Sequence, residues 1–281
     1  MSAMPDSTEL PEPLRALEAR YGTSSYALNG LTWRVLDAAG DSQVDRVPVV
    51  MLPGALGSHK IFYRQWEFLQ NAGMGRRLVL VDYPGSSDVQ AMTSAFNQLM
   101  TLLHVDRAVF VGSSLGACWL QILTALGNLQ LTRRVEHLLI GNTFVDAEPL
   151  QKSPLFARSL VNDKSATEVK RVFHEFVLGM PECELRTVQI AFMAEQSADD
   201  LANRLKMVAN AGVIACSSVP QDRMTILSCE DDGVTTKEVA ERVCKSYPRA
   251  RQVAFSNGGH YPHVNRAEQY NKLLAEILRE H

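Results

Sequence analysis

No stretch of this chain approaches eighteen consecutive apolar residues, which leaves no candidate for a membrane-spanning helix. Basic residues never gather into a stripe or a tail. The 28 Lys and Arg are interleaved with 31 Asp and Glu for a formal net charge of −3, so neither nucleic acid nor an anionic membrane is expected as a partner. Cysteine is sparse: Cys118, Cys183, Cys216, Cys229 and Cys244 are scattered, odd in number and without a CxxC pair. That argues against a disulfide framework or a zinc site and fits buried thiols in a reducing compartment. The opening Met1-Ser-Ala-Met-Pro-Asp6 lacks a basic segment followed by an apolar one, so a cytoplasmic protein is the expectation. Repeats, low-complexity tracts and linker-like stretches are missing too, and no cofactor is expected. A chain of 281 residues, 46% hydrophobic, then favours one large domain, with residues 1–22 as a loose arm and 23–281 as the body.

What is present is a rhythm of short apolar runs and helical spacings. Tyr26–Leu36 alternates as a strand does. Val47–Leu52, Arg77–Asp82, Ala108–Val111 and His137–Gly141 are nearly all apolar, as expected of strands covered by helices on both faces. Phe62–Asn71, Ser94–His104 and Leu115–Leu129 between them carry helical spacing. This alternation predicts an α/β fold with a mostly parallel, doubly wound sheet, which gathers the strand-end loops on one edge. From about residue 143 to 213 strand signals vanish in favour of helical patterns, an expected helical cap inserted after the sixth strand. The rhythm resumes with Met224–Ser228, Lys237–Ser246, Gln252–Phe255 and Arg266–Arg279.

The motif with the most chemical content is Gly112-x-Ser114-x-Gly116, which follows an apolar strand and opens an apolar helix. A sharp strand-to-helix turn presents a serine hydroxyl above the sheet, and small residues two before and two after it avoid clashes. A serine hydroxyl needs a base held by a carboxylate. His260, in Ser256-Asn-Gly-Gly-His260, follows the last strand and is the expected base; His263 is its less favoured neighbour. Asp231 and Asp232, after Met224–Ser228, are both candidates for the acid, with Asp232 preferred for its spacing and Asp146 an outside choice. The N–H groups of Leu115 and Ala55 are the expected oxyanion donors. Tyr83-Pro84-Gly85 is read equally as a tight turn or a substrate contact.

The order Ser114, Asp231 or Asp232, then His260 is that of α/β-hydrolases. The chain resembles that superfamily and, within it, the maspardin-like branch. The resemblance rests on Phe62-Tyr-Arg-Gln65, Val81-Asp-Tyr-Pro84, Gly112-Ser-Ser-Leu-Gly116, Gly141-Asn-Thr-Phe-Val-Asp146, Leu201-Ala-Asn-Arg-Leu205, Tyr247-Pro-Arg-Ala-Arg251 and Gly258-Gly-His-Tyr-Pro262. It implies an α/β-hydrolase fold and a cytosolic protein able to associate with endosomal or trans-Golgi membranes. It also implies a non-catalytic adaptor role with a protein partner in membrane trafficking. The chain departs from the branch at His260, where its animal members carry asparagine, and at Ala117. The residues themselves favour a serine hydrolase acting on a small acyl or ester substrate, and the resemblance favours the adaptor; both stand as expectations.

Overall fold

Eight strands make a single sheet, ordered β1-β2-β4-β3-β5-β6-β7-β8. They are β1 (Thr23–Leu28), β2 (Leu31–Ala38), β3 (Val49–Leu52), β4 (Leu78–Asp82), β5 (Ala108–Ser113), β6 (Val135–Gly141), β7 (Met224–Cys229) and β8 (Arg251–Phe255). The structure, a computed structural model, describes residues 9–39, 46–125 and 128–281. β1 and β2 form an antiparallel pair, β2 runs antiparallel to β4, and every pairing from β4 to β8 is parallel. The mostly parallel sheet is therefore as expected. The single strand expected at Tyr26–Leu36 is instead a hairpin. It turns at Asn29-Gly30, whose φ of 52° and 74° belong to the mirror-image turn that joins twisted strands.

β3, β4 and β5 are buried at every position. Their side chains divide by alternation: Val50, Leu52, Val79, Val81 and Phe110 enter one apolar core, and Val49, Met51, Leu78, Leu80, Val109 and Val111 enter the other. Helices cover both faces, which is why these runs show no polar phase. The helices are α1 (Glu12–Arg20), α2 (Tyr63–Asn71), α3 (Val89–Leu102), α4 (Leu115–Leu123), α5 (Leu129–Thr132), α6 (Arg158–Asp163), α7 (Ala166–Leu178), α8 (Glu184–Glu195), α9 (Ala198–Asn210), α10 (Lys237–Ser246), α11 (Pro262–Asn265) and α12 (Ala267–Arg279). The helix expected over Leu115–Leu129 already ends at Leu123. Residues 1–8 of the expected arm lie outside the described residues. Its remainder is α1, whose Leu14 and Leu17 are fully buried, so this part is packed rather than loose. Among the cysteines Cys118 and Cys229 are buried, whereas Cys183 and Cys216 are exposed.

Residues 143–213 contain α6 to α9 and no strand. Val161, Phe173, Val177, Met193, Leu201 and Leu205 give these helices an apolar core of their own. A buried ion pair fastens them to the sheet. Arg204 on α9 donates to Asp82 Oδ1 at the end of β4 (2.6 Å), to the carbonyl of Tyr83 and to that of Gly57 (3.3 Å). Its guanidinium lies 4.5 Å from the centre of the Tyr83 ring. Burial opposes charge on Asp82, but Arg204, His59 and Arg34 together hold its carboxyl well below the usual carboxylate range. Gly85 packs on the same helix, since a Cβ there would stand 2.5 Å from the carbonyl oxygen of Asp200.

Candidate active site

β5 ends at Ser113 and α4 begins at Leu115, leaving Ser114 to make the turn alone at φ 52°, ψ −119°. Side chains rarely adopt this conformation, which costs on the order of 1–3 kcal/mol and persists only where packing enforces it. The packing here is explicit. A Cβ on Gly112 would lie 2.5 Å from Ala117 Cα, and one on Gly116 would lie 2.3 Å from the Leu52 carbonyl oxygen. Ser114 N–H donates to the Gly141 carbonyl at 2.9 Å, and Thr143 Oγ1 donates to the Ser114 carbonyl at 2.9 Å. The hydroxyl is thus held above the central strand.

Parallel pairing places the ends of β6, β7 and β8 beside it. His260 Nε2 lies 2.9 Å from Ser114 Oγ, and His260 Nδ1 lies 2.9 Å and 3.2 Å from the two Asp232 oxygens. An ionised carboxylate can only accept, so Nδ1 carries the proton and the Nε2 lone pair faces the serine hydroxyl. Asp232 is 5% exposed and receives bonds from Asn142 Nδ2 (2.7 Å), from the N–H groups of Val234 (2.7 Å) and Thr235 (3.0 Å), and from the Thr235 hydroxyl. Burial alone would raise its pKa. His260, Asn142 and Thr235 outweigh that and hold the group ionised, well below the ordinary carboxylate range.

Asp231, the neighbouring candidate, turns elsewhere. Its oxygens accept from the N–H groups of Gly258 (3.1 Å) and Gly259 (2.8 Å), both at positive φ, and so brace the turn that presents His260. Asp146 pairs with Arg242 instead. His263 is buried among Phe62, Tyr261 and Tyr270 with both ring nitrogens unpartnered. Asn142 and Thr235 were not singled out from the sequence. The signals for Asn142 are a place just after a buried strand and within Gly141-Asn-Thr-Phe-Val-Asp146; Asn142 adopts φ 47° there and also donates to the Gly259 carbonyl (3.1 Å).

Leu115 is the first residue of α4, so its N–H has no acceptor within the helix. The Ala55 loop reaches the serine from the end of β3: a Cβ on Gly54 would lie 3.1 Å from Ser114 Cβ. The loop is fixed by Tyr83, whose hydroxyl donates to the Pro53 carbonyl at 2.8 Å. Ser114, His260 and Ala55 open into a cavity of about 250 Å³ beneath the helical insertion, lined largely by Phe144, Phe156, Phe173, Phe176 and aliphatic side chains. Depressions of about 910 and 870 Å³ are open grooves that none of Ser114, His260 and Ala55 lines, and the enclosed cavity is the one the chemistry shares. Among the described residues no group of three His, Cys, Asp or Glu could hold a metal ion.

The profile of the alpha/beta hydrolase family matches residues 49–273, and the chain belongs to that family. It is 25% identical to maspardin of Danio rerio over 88% of this chain and 78% of that one, and 26% identical to maspardin of Homo sapiens over 85% and 76%, which makes it maspardin-like. In fold it is similar to the enol-lactonase of Burkholderia xenovorans LB400, with a TM-score of 0.70 and 18% identity over 91% of this chain and all of that one. No helix among the described residues is long and apolar enough to cross a membrane.

Proposed function

We propose that this protein is a serine hydrolase that cleaves a small ester or thioester through Ser114, His260 and Asp232. The observation that carries the reading is the unbroken chain of contacts from Ser114 Oγ to His260 Nε2 and from His260 Nδ1 to Asp232, each at hydrogen-bond distance. In the reaction His260 Nε2 takes the hydroxyl proton as Ser114 Oγ bonds to the carbonyl carbon. Asp232 keeps the ring in the required tautomer and stabilises the imidazolium. The N–H groups of Leu115 and Ala55 receive the negative oxygen of the tetrahedral intermediate. As the intermediate collapses, the bond to the leaving oxygen or sulfur breaks and His260 returns the proton to it. Water, deprotonated by the same imidazole, then releases the acid and restores Ser114.

A fluorophosphonate probe tests this. The native protein is expected to be labelled at Ser114, with labelling lost in Ser114→Ala and His260→Ala. Full labelling of the His260→Ala protein would overturn the assignment of the base.

The likeness to maspardin supports a second reading, in which the scaffold binds a protein partner in membrane trafficking, in the cytoplasm and at the periphery of endosomal or trans-Golgi membranes. An inert Ser114 in folded protein, together with a defined partner recovered through direct binding, would favour that role over hydrolysis.

A further inference from the structure

The cavity that Ser114 and His260 share is apolar on most of its surface, but not all of it. Gln189 on α8 lines it, is 1% exposed, and leaves both its amide nitrogen and its amide oxygen without a hydrogen-bond partner. A buried amide in that condition is destabilising, and buried polar side chains normally find partners. Gln189 lies next to the Tyr261 phenol, near enough that its amide favours the ionised form of that phenol. Tyr261 follows His260 in the chain, packs edge-on against its ring at a centroid distance of 5.3 Å, and lines the same cavity. Asn265 on α11 lines it too, and α11 packs against α8. Three neutral polar side chains therefore share one wall, and it is the wall on which His260 sits. The walls from residues 150–156 and from α7 and α9 are apolar, and the hydroxyl of Thr235, which also lines the cavity, is engaged by Asp232.

Resting on the serine-hydrolase reading, we propose that Gln189 is a specificity residue that recognises a neutral hydroxyl on the leaving group of an acyl ester, with the acyl chain in the apolar lobe. The leaving oxygen must lie against His260, because His260 returns the proton to it. The polar wall beside His260 then faces the alcohol part of the substrate and the phenylalanines face the acyl part. An amide offers both a donor and an acceptor, the complement of a hydroxyl, which does the same. Among the described residues no Lys or Arg lines the cavity, so a carboxylate there would be buried without a counter-charge. The substrate class is accordingly a monoester of a polyhydric alcohol with an uncharged acyl chain.

The test compares 2,3-dihydroxypropyl hexanoate with propyl hexanoate, which differ only in the two hydroxyls of the leaving group. The native protein is expected to favour the dihydroxypropyl ester by roughly tenfold or more in kcat/KM, because the simple ester leaves Gln189 unpaired. In Gln189→Leu that ratio should fall toward one; Gln189→Met serves if the leucine variant melts early. The same two esters are titrated calorimetrically against Ser114→Ala protein with and without the Gln189 change, so that the subsite is measured without turnover. A native preference for the propyl ester, or a ratio unaltered by the Gln189 variants in both assays, overturns the proposal. Selective binding to Ser114→Ala with no turnover and no fluorophosphonate labelling of the native protein would overturn the hydrolase reading and leave the subsite standing.

Discussion

Asp231 and Asp232 are consecutive, yet one carboxylate accepts from the backbone of Gly258 and Gly259 while the other meets the ring of His260. Two adjacent acids thus hold the two ends of one loop. Asp232→Asn should lower the rate of fluorophosphonate labelling by on the order of 10³–10⁴, because an amide at that place no longer selects the required imidazole tautomer. Asp231→Asn removes support from the turn alone and should cost far less. Equal losses in the two variants would show that the carboxylates are not divided in this way.

Ser114 sits at φ 52° because its neighbours demand it, and glycine adopts such a backbone without strain. Ser114→Gly should therefore melt above Ser114→Ala, by a difference of about 1 kcal/mol in unfolding free energy. Gly116→Ala should lose about 1–3 kcal/mol or more, since its Cβ would meet the Leu52 carbonyl. Denaturant titration of the three variants checks both, and a Ser114→Ala protein as stable as Ser114→Gly would refute the strain.

Arg204 and Asp82 are each about 2% exposed at the side chain and meet at 2.6 Å. Removing one partner abandons a buried charge, so Arg204→Met should destabilise by about 3–5 kcal/mol. The damage should centre on the helical insertion, visible as faster amide exchange in α9 than in β5. Adding Asp82→Asn should recover part of the loss. A double variant less stable than Arg204→Met would contradict the charge argument.

Acid should weaken the fold before its carboxylates titrate. Burial, with His260 adding to it, pushes His263 down to about 3, and burial pushes His137 down to about 4. Both are neutral when folded at a pH where the unfolded chain, near 6.5, already binds protons. Stability is then complete above about pH 6.5 and declines as pH falls toward 4, by about 1 kcal/mol per unit for each ring. Asp82 and Asp232, whose values are lowered, add their loss only below about 3.8. His263→Phe should flatten the upper part of this decline in pH-dependent denaturant titrations, and an unchanged slope would exclude His263 as its source.

The sheet is legible because β3, β4, β5 and the Leu138–Gly141 part of β6 are almost wholly apolar, a pattern that local sequence carries without help. The turn at Ser114 was equally local, since two glycines at fixed spacing report a backbone that tolerates no Cβ. Less was legible where long-range partners decide. The hairpin at Asn29-Gly30 falls inside a single expected strand, although its turn residues are in view. The burial of α1 had no local sign beyond its leucines.

What the sequence by itself determined is the set of chemical groups and the strand ends that bear them: Ser114 after β5, an acid after β7 and His260 after β8. Which of Asp231 and Asp232 meets the imidazole, how Asn142 and Thr235 keep that acid charged, and that Arg204 closes on Asp82 were decided only by the tertiary structure. The reason is physical. Residue type and spacing fix the local backbone, whereas the direction of a carboxylate and the balance between its desolvation and its partners depend on groups tens to more than a hundred residues away, which only the folded sheet brings within hydrogen-bond reach.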